Sequence, residues 1–175
     1  MPTTTSYGRA LAFLFIISAP GAAVAQGQIR PAQRSADAQA AVQTIQALFA
    51  AAERGDLLGL DSLYAGDSLL VIEGAGINRG WRDYRDNHLA PELKEFKNFQ
   101  YRPFEIEARV AGEIAWVTYR YAIAADLADR KIDAIGRGTA ILEKRGAKWV
   151  VRLTQTASRA RRATDPPMPV PSAGL

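Results

Sequence analysis

Apolar residues recur at three- and four-residue steps from Ala38 to Ala52, through Ala41, Val42, Ile45, Leu48 and Phe49, and so mark one stripe of an amphipathic helix. Ser35 can cap its start and Gly55 its end. "LLGLDSLYA" reads as a short second helix with Asp56 as its cap, and "DSLLVIEG" as a short strand. "GAGINRG" reads as a loop, because its Gly and Asn residues break both periodicities. Trp81, Tyr84, His88 and Leu89 then fall on one face of a third helix, which Pro91 ends or restarts.

From Phe99 onward the period is that of strands. "FQYRPFEIEARV", "IAWVTYRYAIAAD", "IDAIGRGTAILEK" and "WVVRLTQTASR" are joined by the short turns "AGE", "LADRK" and "RGAK", which predicts an antiparallel meander. In the first strand Phe99 and Tyr101 share one parity, and Phe104, Ile106, Ala108 and Val110 the other; the change of phase at Pro103 predicts a bulge or bend. In the last, Trp149, Val151, Leu153, Gln155 and Ala157 share the parity that the apolar members mark as buried. "IAWVTYRYAIA" is apolar on both parities, whereas an antiparallel strand with one wet face alternates. Both faces are therefore expected to be covered, one by the helices and the other by a second copy of the chain. The alternative is partial exposure of Trp116 and Thr118.

The ends of the chain differ from its middle. Residues 1–25 carry a lone cation, Arg9, an apolar run from Ala10 to Ala19 and a closing Ala23-Val24-Ala25, the pattern of a secretory signal peptide. The apolar run is shorter than the ~20 residues of a spanning helix, so no stable membrane insertion is expected. Residues 26–35 read as a linker, 36–159 as the folded domain and 160–175 as a basic, Pro-rich, disordered tail. The mature product is expected outside the cytoplasm, in the periplasm or beyond. The net charge of +4 belongs to the flanks: between Ala36 and Ser158 stand 16 Lys and Arg against 17 Asp and Glu. Without a basic stripe on the fold, nucleic acid is not an expected partner.

With one histidine and no cysteine, neither a metal site nor any other cofactor is expected. No nucleophile elbow surrounds a serine, and no phosphate-cradling loop precedes a helix. Pocket chemistry is left, with Trp81, Tyr84, His88, Tyr101, Tyr119, Tyr121 and Gln155 as candidate lining residues. His88 has three readings: a neutral core histidine, a polar anchor for a ligand, or a catalytic base. Gln155 is its possible partner on the last strand. No carboxylate falls at a pocket-facing position, since Glu105 and Glu107 oppose the apolar parity and Asp126 and Asp133 sit at strand ends. Ala134, Gly136, Gly138 and Ala140 share one parity and either leave room for a ligand or let the sheet bend. Arg137 would bind an acid in the pocket or pair across a dimer interface.

The order of elements, Asp67 before the first strand, "RGWRDYRDNHLAPEL", "GEIAWVTYRY" and "GRGTAILEKRGAKWVVRLTQTASR" resemble the nuclear-transport-factor-2-like superfamily, in its SnoaL-like branch. The likeness runs from Ala36 to about Arg159 and includes Gly146, Trp149, Ser158 and Arg159. It implies an α+β cone in which three N-terminal helices pack on a strongly curved antiparallel sheet, a pocket at the open end, and a homodimer joined through the sheet face. Histidines that similar members carry on the last strand fall at Leu153 and Gln155 here, so that imidazole pair is missing. Three functions follow from the resemblance: binding of a small, partly apolar molecule; a cofactor-free isomerase, dehydratase or cyclase using His88; or a dimeric assembly module with a filled cone.

Overall fold

The computed structural model describes residues 31–171, and the side chains of residues 36–171. The expected signal peptide, the first half of the expected linker and residues 172–175 lie outside the described residues.

Helix α1 spans Pro31–Glu53. It begins four residues before Ser35, so residues 31–35 are its first turn and not part of a linker. Proline suits that position, where its missing N–H would have no intrahelical partner. The chain leaves α1 through Gly55, whose φ of +66° suits a residue without a side chain. Helix α2 (Leu57–Asp61) follows, capped by Asp56, which accepts a hydrogen bond from the Gly59 N–H at 2.8 Å.

Strands β1 (Leu70–Glu73) and β2 (Gly76–Arg79) form a hairpin. The stretch expected to be a loop is thus partly a strand; the tight turn at Gly74, with φ of +57°, lets the chain fold straight back. Helix α3 (Trp81–Tyr84) runs without a break through a π-helical turn at Arg85–Leu89 into α4 (Ala90–Glu95). Pro91 does not end the helix. It has no N–H to offer the carbonyl of Asn87, and the helix widens just before it.

Strands β3 (Lys97–Ala111), β4 (Ile114–Asp126), β5 (Lys131–Arg145) and β6 (Lys148–Ala160) form the meander. The six-stranded sheet has the order β2-β1-β6-β5-β4-β3. It is mixed, because β1 runs parallel to β6 while all other neighbours are antiparallel. The bend in β3 falls at Glu105, not Pro103. The register slips between Phe104 and Glu107, and Glu105 takes a φ of +49°. Phe104 consequently joins the outer face, 4.8 Å beneath the Arg120 guanidinium.

The core lies between α1 and the concave side of the sheet. Ala41, Ile45 and Phe49 of α1 and Ala115, Val117, Leu142 and Val151 of the strands are all buried. Burying Phe49 alone contributes roughly 2–3 kcal/mol. It touches Tyr101, Tyr119 and Tyr121, with ring centroids at 4.2, 5.3 and 6.0 Å. On the convex side Trp116 is 40% exposed and Ile114 42%, among Thr118, Arg120, Arg137, Thr139 and Gln155.

The expected disordered tail is laid down on the domain as far as Pro171. The Asp165 carboxylate takes both terminal nitrogens of Arg159 at 2.7 Å, and the Pro169 carbonyl accepts from Arg102 at 2.8 Å. Arg102 is itself fixed by Glu53 of α1, whose carboxylate also accepts the Tyr101 N–H at 2.8 Å. Proline-rich composition predicts little burial, but a chain without spare backbone freedom loses little on docking.

Candidate functional site

The open end of the fold holds a cleft of about 450 Å³. Its floor is the inner face of β4–β6, with Tyr121, Ile123, Ala134, Thr156 and Ser158. Tyr101 and Phe99 of β3 form one wall; Tyr84, Leu89, Glu92 and Phe96 of the third helical segment form the other, and Glu73 closes the end.

Contrary to the expectation from the long strands, a strand carboxylate does face the cleft: Glu73. Leu69 and Val71 are buried at 2% and 1% exposure, and Glu73 continues their parity inward at the tip of β1. Its Oε2 lies 3.1 Å from the Nε2 of His88, and Glu92 Oε1 lies 3.4 Å from the same nitrogen. Glu92 stands one turn after His88, so the helix brings the imidazole against both carboxylates.

The other imidazole nitrogen is taken too. Nδ1 lies 2.9 Å from Asn78 Oδ1. Asp83 orients that amide by accepting from Asn78 Nδ2 at 3.2 Å, while it also accepts from the Arg79 N–H and Asn87 Nδ2. The Asn78 oxygen is therefore turned to His88, Nδ1 donates, and Nε2 faces two carboxylates. Both nitrogens carry protons in this arrangement. The hydrogen bond to Glu73 raises the imidazole above its ordinary 6.5 against an opposing desolvation, and Glu92 adds to the rise. Desolvation pushes the Glu92 carboxyl above its ordinary value, with the nearby Glu73 charge in the same sense and His88 opposing. Three hydrogen bonds, from Asn87, Arg79 and Asn78, hold Asp83 below its ordinary value.

The structure divides the expected lining residues. Tyr84, Tyr101 and Tyr121 line the cleft. Tyr119 lies deeper, edge-on to Phe49, and reaches only a narrow inner extension of the space. Trp81 does not line it: the indole stacks on Tyr64 at 4.7 Å, and its N–H donates to Asp61. His88 is one shell back, engaged through both nitrogens, its ring edge-on to Tyr84 at 5.2 Å. Gln155 faces outward and is exposed. The reason is a bulge: Leu142 pairs with Val151 and Ile141 with Leu153, so Arg152 is surplus and the parity of β6 inverts beyond it. Thr154, Thr156 and Ser158 point inward instead.

Burial raises the tyrosines that surround this space. Tyr119 is pushed well above the ordinary tyrosine value, and Tyr84 and Tyr101 go in the same direction. Tyr121 rises less, because the Ser158 and Thr156 hydroxyls oppose the burial. All stay neutral, as hydrogen-bond groups. The row of small residues on β5 serves these rings. A Cβ on Gly136 would stand 2.3 Å from the Tyr121 ring, and one on Gly138 would stand 2.4 Å from that of Tyr119. At Gly136 and Gly138 the room that one reading kept for a ligand is filled by side chains from β4, whereas Ala134 lines the cleft floor. Arg137 is settled on the outer face, beside Arg120 across the strand.

A SnoaL-like domain model matches residues 41–156, from α1 to the inward threonines of β6. The chain belongs to the SnoaL-like domain family. Solved structures agree on the fold of this SnoaL-like domain. One is a nuclear-transport-factor-2-like superfamily protein from Salmonella enterica serovar Typhimurium, with a TM-score of 0.66 at 17% identity over 74% of this chain and 96% of that one. A candidate dehydratase of the same superfamily from Streptomyces avermitilis gives 0.63 at 16% identity, over 70% and 95%. A candidate ketosteroid isomerase from Shewanella frigidimarina gives 0.59 at 20%, over 67% and 94%. No curated protein matches the chain. Among the described residues no cluster suited to a metal ion occurs, and no helix is long and apolar enough to cross a membrane.

Proposed function

We propose that this SnoaL-like domain is an exported, dimeric protein that holds a small, partly apolar molecule in the cleft between the third helical segment and the sheet. The observation that carries the reading is the cleft itself: about 450 Å³, walled by aromatic rings and closed by polar groups at one end. A cone serving only assembly would be packed shut. Export rests on the signal-peptide pattern of residues 1–25. Pairing of two sheets rests on exposed Trp116 and Ile114 on the convex face.

Native mass spectrometry of the protein isolated from the envelope of its own cells tests all three parts. The expected result is a dimer of chains starting near Gln26, each with a small molecule bound. A monomer that still carries residues 1–25 and holds nothing would overturn the reading.

A second reading is favoured by Glu73. It is the carboxylate at the cleft end, and relatives of similar fold are named as candidate isomerase and dehydratase. In that reading Glu73, not His88, takes a proton from a carbonyl compound; the hydroxyls of Tyr121 and Ser158 steady the oxygen, and His88 positions the carboxylate. Exchange of substrate hydrogen for deuterium in heavy water, lost in Glu73→Gln with binding intact, would distinguish turnover from storage.

A further inference from the structure

We infer that the cleft selects molecules with a protonated nitrogen at one end of an apolar body; this deepens the ligand-binding reading and rests on it. The charges that line the cleft are of one sign. Glu73 and Glu92 are present, and no lysine, arginine or histidine is. The imidazolium of His88 balances only one of the two carboxylates, and it does so from behind. It uses Glu73 Oε2 and Glu92 Oε1, so the second oxygen of each carboxylate has no partner among the described residues. A partly desolvated pair of this kind is stabilised by a cation that brings its own N–H donors.

The walls point to the same chemistry independently. Phe96, Phe99, Tyr101 and Tyr121 line the cleft, and aromatic faces attract a cation stripped of water. Tyr84 is only 7% exposed, lines the cleft, and its hydroxyl hydrogen-bonds no described residue, while the Tyr121 hydroxyl, at the cleft floor, has those of Ser158 and Thr156 beside it. A hydroxyl oxygen accepts from an ammonium N–H as readily as from water. A carboxylate-bearing ligand would meet two like charges at the end of the cleft and no donor of opposite charge among the residues that line it. The ligand class is therefore a primary or substituted amine on an aromatic or alicyclic body.

Calorimetric titration at neutral pH with three probes of one shape tests this: 1-naphthylmethylamine (cationic), 1-naphthylmethanol (neutral) and 1-naphthoate (anionic). The amine is expected to bind at least about tenfold more tightly than the alcohol, and the naphthoate more weakly than both. Glu92→Gln should remove most of the amine's advantage and leave the alcohol within about twofold. Ile123→Trp, which fills the cleft floor, should abolish binding of all three. If the alcohol or the naphthoate binds as tightly as the amine, the charge selection is overturned while the cleft stands as a ligand site. Amine binding that survives Ile123→Trp overturns it as well, by placing the amine elsewhere. If none of the probes binds to a folded protein, both the selection and the ligand-binding reading fall.

Discussion

Glu73 at the tip of β1 reaches His88 in the π-helical turn across a 3.1 Å contact between Oε2 and Nε2. The contact joins sheet to helix at the end of the cleft. Because the protein has one histidine, its imidazole signals in an NMR titration belong to a known residue. Glu73→Gln should lower the titration midpoint of His88, and Glu92→Gln should lower it less, since the Glu73 hydrogen bond is the larger cause of the rise. An unchanged midpoint in Glu73→Gln would show that the contact is not made in solution.

Stability should depend on pH through the same pair. His88 has a folded value above its unfolded 6.5, so its contribution is full below about pH 6.5 and is lost as the pH rises through the folded value. Urea unfolding is expected to show the wild type losing about 1 kcal/mol across that window relative to His88→Gln, a modest figure because the group is partly exposed. Glu92 acts in a lower window. Its raised carboxyl favours the fold below its ordinary 4.5 and disfavours it as the pH climbs through the shifted value, so Glu92→Gln should flatten the curve there.

Gly138→Ala should destabilise the domain by about 1–3 kcal/mol, because the new methyl meets the Tyr119 ring at 2.4 Å inside a packed core. Tyr119→Leu in the same chain should recover part of that loss. Equal costs for the single and double variants would mean that the ring is not what the methyl strikes.

Arg102→Ala should free the C-terminal segment. It removes the donor to the Pro169 carbonyl and leaves Glu53, only 21% exposed, without its ion-pair partner. Limited proteolysis is expected to cut between residues 163 and 171 several times faster than in the wild type, and the midpoint of thermal unfolding should fall by a few degrees. Equal cutting rates would show the tail to be loose already.

Much of this architecture was legible in the order of residues. The stripe from Ala38 to Ala52 and the period-two runs after Phe99 report burial on one side, and burial is what periodicity records. Glu73 was legible as well, since Leu69, Val71 and Glu73 alternate inward on a short strand. Gln155 was not. Reading the parity of Trp149 and Val151 onward assumes an unbroken pleat, and nothing in "WVVRLTQTAS" marks Arg152 as surplus. Trp81 shares a helical face with Tyr84 and His88, but a face is wider than a cleft, and Tyr64 claims the indole. The docked tail depends on Arg102 and Glu53, far apart in the chain and both ordinary surface residues by type.

The surplus residue in β6 has a consequence for how such domains change over time. Loss of the single codon for Arg152 would leave an unbroken pleat, in which Leu153 still pairs with Ile141 and Thr154, Thr156 and Ser158 still face the hollow. One small deletion, with no substitution at all, would thus straighten the strand and spare the hydroxyl floor.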